Sequence, residues 1–91
     1  MRVPDEFEWD DAKAASNERK HGVPFEYATR VFLDDDRIDF DVSRGVEGEE
    51  RRKVVGEIEG RLYCVVYTLR RTTFRLISAR RANAKETKAY G

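Results

Sequence analysis

Histidine is the side chain whose ordinary titration falls near neutrality, and this 91-residue chain holds one, His21. It closes the run ASNERKHG. At 100° per residue, Lys13, Asn17, Lys20 and His21 fall within one ~100° sector of a helix. A titrating group flanked by cations suits proton transfer next to an anion. The same spacing also describes a solvated polar face with a fraying end, and spacing alone favours that plainer reading. The pair Arg80–Arg81 is the second candidate, because a guanidinium offers a planar fork that fits phosphate. Neighbours on a strand point to opposite faces, so only one of the two reaches a given site.

Composition narrows the chemistry. One cysteine, Cys64, cannot form an internal disulfide, and it lies in an apolar run, which predicts a buried, inert thiol in a reducing compartment. One His and one Cys make a zinc site of the usual kind improbable. The acidic run Asp34 to Asp36 lacks the EF-hand pattern and reads as a solvated turn. No apolar run is long enough for a membrane span, and no signal-peptide core precedes the first helix. Charged residues make up 40% of the chain but cancel to zero overall. The halves differ: residues 1–50 hold seven Lys/Arg against fifteen Asp/Glu, a net of −8, and residues 51–91 hold eleven against three, a net of +8. Such asymmetry marks a nucleic-acid or partner surface, or two halves that neutralise each other on folding.

The elements that must position these side chains are legible locally. Phe7 to Gly22 centres on a helix with Asp10 as N-cap, Arg19, Lys20 and His21 in its last turn, and Gly22 as left-handed cap. Phe7 and Trp9 before it alternate, as a brief strand or as two core anchors. Pro24 opens a second short helix, with Phe25, Ala28, Val31 and Phe32 as its buried stripe. Strands are predicted over Arg37–Val42, Lys53–Ile58, Leu62–Leu69 and Thr73–Ala79, with a loop at Ser43–Glu50 and a tight turn at Glu59-Gly60. The run LYCVVYTL is apolar on both faces, so its strand is central. Asn83 and Glu86 form a capping box for a last helix ending at Tyr90. The fold class is α+β: two N-terminal helices, a four-stranded antiparallel meander and a C-terminal helix, in one domain over residues 1–91.

The segments FEWDDAKAASNERKHGVPFEYATRVF, GEERRKVVGEIEGRLYCVVYT and RLISARRANAKE, in this order and in a chain of this size, resemble the BrnT toxins. Pro24 departs from the serine that family often offers as cap of the second helix. The resemblance implies a RelE-like fold and a cytoplasmic ribonuclease toxin of a type II toxin–antitoxin system that inhibits translation by cutting RNA. It implies a ribbon–helix–helix antitoxin, in a complex that represses its own promoter and touches DNA only through the antitoxin. Two toxins and two antitoxins are the simplest count. No cofactor and no metal are implied, because a 2′-hydroxyl nucleophile needs only a base, cations and an acid. The candidate catalytic residues are Lys20, His21, Arg80 and Tyr67. Tyr67 faces away from Val66 and either donates a proton, stacks on a base or packs in the core. Lys13, Arg52, Arg70, Arg75, Arg81 and Lys85 are candidates for tracking the RNA backbone. The rival readings are a non-catalytic RNA- or ribosome-binding module and a pure protein-interaction domain.

Overall fold

The computed structural model describes residues 6–43 and 50–91, so most of the predicted Ser43–Glu50 loop lies outside the described residues. Helix α1 (Asp11–His21) starts where Asp10 accepts the Lys13 N–H at 3.0 Å. It stops at Gly22, whose φ of 71° a glycine adopts without strain. Helix α2 (Phe25–Ala28) runs straight into a 3₁₀ turn, Thr29–Leu33. The predicted stripe is buried: Phe25, Ala28, Val31 and Phe32 are all at or below 1% exposure.

Five strands follow or precede these helices: β1 (Glu6–Glu8), β2 (Ile38–Asp41), β3 (Arg51–Ile58), β4 (Arg61–Arg70) and β5 (Thr73–Arg81), with helix α3 (Ala84–Tyr90) last. The sheet order is β1-β5-β4-β3-β2, which puts β4 in the centre as its two apolar faces require. The expected four-stranded antiparallel meander is corrected to a mixed sheet of five, because β1 lies parallel to β5 with Phe7 opposite Phe74. Burial drives this pairing. Phe7 sits 5.4 Å from the Phe32 ring and 6.3 Å from Phe74, so a three-residue strand anchors the chain entry in the core.

Alternation divides the sheet. Val54, Val65, Tyr67, Leu76 and Ala79 face the N-terminal helices and share their core. Lys53, Val55, Cys64, Ser78 and Arg80 lie on the opposite face, by register. Gly56 lets β3 approach the 3₁₀ turn, since a Cβ there would stand 2.9 Å from the Val31 carbonyl oxygen. Between β3 and β4, Glu59 and Gly60 both take positive φ, as a tight hairpin needs. Cys64 is buried, and burial pushes its thiol up to about 11.

The Asp34 turn is corrected as well. Asp35 and Asp36 are exposed, but the Asp34 carboxylate accepts the Glu57 N–H at 2.8 Å, the Asp36 N–H at 2.9 Å and the Tyr90 hydroxyl at 2.5 Å. One side chain thus ties the end of the 3₁₀ turn to β3 and to the end of α3. Those bonds favour the charged form and hold its carboxyl below the usual range, against the opposing effect of burial.

Candidate active site

Asn17 fixes α1 against the sheet. Beyond the end of β1, the outer edge of β5 would leave Ala79 without a backbone partner. Asn17 supplies one: its Nδ2 donates to the Ala79 carbonyl at 2.8 Å and its Oδ1 accepts the Ala79 N–H at 3.1 Å. Nδ2 also reaches the Val23 carbonyl at 3.2 Å. The amide acts as one residue of an extra strand, and it is 7% exposed.

This contact brings the predicted helix sector onto β5. Lys13, Asn17, Lys20 and His21 line a recess of about 200 Å³ with Ile77 and Ser78. Lys13, Lys20 and His21 themselves are exposed. The recess floor lies at a β-bulge: Ser78 pairs with Val66 and Leu76 with Tyr67, so Ile77 is the extra residue. Ser78 and Arg80 are two apart on one face of β5, about 7 Å along the strand.

Arg80 stands in a saturated cluster. Its Nη1 and Nη2 each donate to Glu86 at 2.8 Å, one to each carboxylate oxygen. Lys53 Nζ joins Glu86 at 3.1 Å, and the Asn83 N–H donates to it at 3.0 Å. The Glu86 N–H returns a bond to Asn83 Oδ1 at 2.8 Å, so the predicted capping box forms. The Arg80 bonds, then those from Asn83 and Lys53, hold the Glu86 carboxyl far below the usual glutamate range in spite of its burial. A guanidinium fork, an ammonium and a backbone N–H thus converge on one buried carboxylate.

Tyr67 and Arg52 lie on the other face. Tyr67 is 2% exposed, packs on Phe32 and Phe74, and donates its hydroxyl to Asp39. Arg52 binds the same carboxylate through Nε at 2.5 Å and Glu50 through Nη1 at 3.0 Å. Burial first, then the Asp39 bond, pushes the Tyr67 phenol well above its ordinary value. Neither residue shares a face with Arg80.

The remaining predicted cations scatter. Arg75 pairs with Glu8 on β1 at 2.6 Å. Arg81 sits over the Tyr63 ring at 5.7 Å. Arg70 is exposed at the end of β4, and Lys85 lines a groove beside α3. Structure therefore joins Lys13, Lys20 and His21 in one recess, sets Arg80 farther along the same strand, and separates Tyr67, Arg52, Arg70, Arg75 and Arg81 from them. Lys53 and Glu86 were not among the predicted site residues. Lys53 reads as an ordinary strand residue, and Glu86 already had a local role in the capping box. Their meeting depends on α3 folding back over β3.

The fold and the recess define a class at the level of architecture: a small α+β domain with cationic side chains gathered where its first helix meets the sheet edge. The chain belongs to the BrnT family, since the family model of the ribonuclease toxin BrnT of type II toxin–antitoxin systems matches residues 9–86. That stretch contains α1, β5 and Glu86. No curated protein matches the chain. None of the helices of the described residues is long and apolar enough to cross a membrane.

Proposed function

We propose that this chain is the ribonuclease toxin of its pair and cuts RNA by transphosphorylation without a metal. The 2′-oxygen forms a bond to the adjacent phosphorus while the bond from phosphorus to the 5′-oxygen breaks. His21 takes the proton of the 2′-hydroxyl, and Lys20 protonates the departing 5′-oxygen. Lys13 and Arg80 offset the charge that builds on the phosphate. Arg80 reaches the phosphate by exchanging its Glu86 partner for it. Tyr67 and Arg52 hold the fold in this reading, and Lys85, Arg70 and Arg81 remain to follow the RNA backbone.

The family match across residues 9–86 carries this reading, and a recess lined by His21 together with Lys13 and Lys20 supports it. The partner is a ribbon–helix–helix antitoxin, two of each chain per complex, acting in the cytoplasm and repressing their shared promoter. Antitoxin-free protein incubated with single-stranded RNA in excess EDTA tests the chemistry. Fragments ending in 2′,3′-cyclic phosphate and 5′-hydroxyl are expected. A strict requirement for added divalent metal refutes the mechanism, and binding without cleavage points to the non-catalytic RNA-binding module.

A further inference from the structure

Strand β2 ends the sheet, and its outer edge has no strand beside it among the described residues. The Val42 N–H bonds inward to the Arg51 carbonyl at 2.9 Å. Ladder bonds alternate along an antiparallel pair, so Phe40 and Ile38 also bond inward, and the N–H and C=O groups of Asp39 and Asp41 point out. An open edge of this kind is a template for another strand.

The two sides of that edge differ in chemistry. On the α3 side, Phe40 is 36% exposed, and with Val42 and Ala89 it lines an apolar groove of about 310 Å³. On the helical side lies a cavity of about 410 Å³ with an aromatic floor of Phe32, Tyr67 and Phe74; its rim mixes Asp35, Asp39 and Glu50 with Arg37 and Arg52, and Arg52 already binds Asp39 and Glu50. Exposed Asp41 adds a carboxylate on the same face of the strand, its Oδ1 accepting the Ser43 N–H at 2.9 Å. A strand laid on β2 would send alternate side chains into these two spaces.

We infer that the β2 edge receives an extended segment of the partner protein in which apolar residues alternate with arginine or lysine. The apolar side chains enter the groove beside Phe40 and Val42. The cationic ones meet the exposed carboxylates Asp41 and Asp35 rather than Asp39 and Glu50, which Arg52 holds. A second copy of this chain is a poor occupant, because β2 against β2 would bring Asp39 and Asp41 of one copy against those of the other. This rests on the partner named by the proposed function and gives the docking place of one segment of it.

The test uses the free chain and a synthetic peptide alternating valine with arginine, beside a glutamate-for-arginine counterpart and a scrambled peptide. The basic alternating peptide should bind at moderate salt and slow amide exchange at Asp39 and Asp41. Asp41→Lys should weaken it by about tenfold, the scale for turning one cross-strand attraction into repulsion. Asp41→Pro removes an outward N–H at an edge that tolerates proline and should abolish binding. Should the proline variant unfold, the Asp41→Lys result and the amide pattern of the natural chain decide alone. Equal binding of the scrambled or acidic peptide, protection confined to Arg80–Tyr90, or a dimer formed through β2 would overturn the inference. Peptide binding is independent of RNA cleavage, so an inactive chain that binds the peptide defeats the proposed chemistry and leaves the docking edge standing.

Discussion

The recess at the α1–β5 edge and the cluster under α3 are both basic, and they are built in opposite ways. In the recess, Lys13, Lys20 and His21 are exposed and converge on a concave space. Under α3, Arg80 and Lys53 are spent on one carboxylate whose side chain is 5% exposed. Open cations around a hollow suit a ligand that arrives and leaves. Cations around a buried acid brace a joint, and Arg80 reaches a phosphate only by letting go of that acid. The comparison shows why a count of Arg and Lys says little about an RNA surface: in this chain several of them already hold the fold.

The sharpest way to break the comparison is His21→Gln. If the recess is the working region, the rate should fall by roughly 10²–10⁴, the range for losing a general base. The acidic limb of the pH–rate profile should vanish, and the melting temperature should hold. A variant with full activity would leave the recess as plain surface.

Glu86→Ala probes the other region. It leaves two half-buried cations without their acid and frees the end of α3, so it should cost about 3 kcal/mol, the low end for breaking a buried ion pair because Arg80 and Lys53 keep some solvent. Denaturant unfolding reads this directly. The pH dependence has a fixed sign. A carboxyl whose folded value lies below its unfolded one stabilises above the unfolded value and loses that effect as pH falls. The natural protein should therefore weaken below about pH 4.5, the ordinary glutamate value. Glu86→Gln should flatten that acid limb. Arg80→Ala should lower the rate by roughly 10²–10³, and it should also melt earlier, because it strands Glu86. A rate loss with an unchanged melt would place Arg80 in the open class.

Asn17→Ala links the two regions, because it unfastens the recess from β5. Leaving the Ala79 N–H and C=O without partners should cost about 2 kcal/mol. Activity should fall at temperatures where the fold persists. Asn17→Asp, which keeps an acceptor for the Ala79 N–H but no donor for its carbonyl, should fall between. The smallest effect is Tyr90→Phe. It removes one hydrogen bond to Asp34 and should cost about 1 kcal/mol, with no change in cleavage at its optimum. A large loss of activity there would show that α3 must stay seated for the chemistry.

Sequence by itself determined what depends on a few neighbouring residues. Asp10, Gly22 and the Asn83–Glu86 box set helix ends through bonds spanning three or four positions. A run from Leu62 to Leu69 that is apolar on both faces was enough to place a central strand, and the 100° rule put Lys13, Asn17, Lys20 and His21 on one side of α1. Tertiary structure alone decided what those sides meet. The amide of Asn17 finds Ala79 across 62 positions of chain, and Glu86 finds Lys53 across 33. A polar side chain carries no local signal of which distant backbone group it will satisfy. Alternation at Phe7 and Trp9 leaves a brief strand or two core anchors open; that the strand joins the sheet parallel to β5 is set by where Phe7 can be buried. Tyr67 and Arg80 could each be assigned a face of its own strand. The faces of β4 and β5 could be related only through their register, and the bulge at Ile77 shifts that register by one residue.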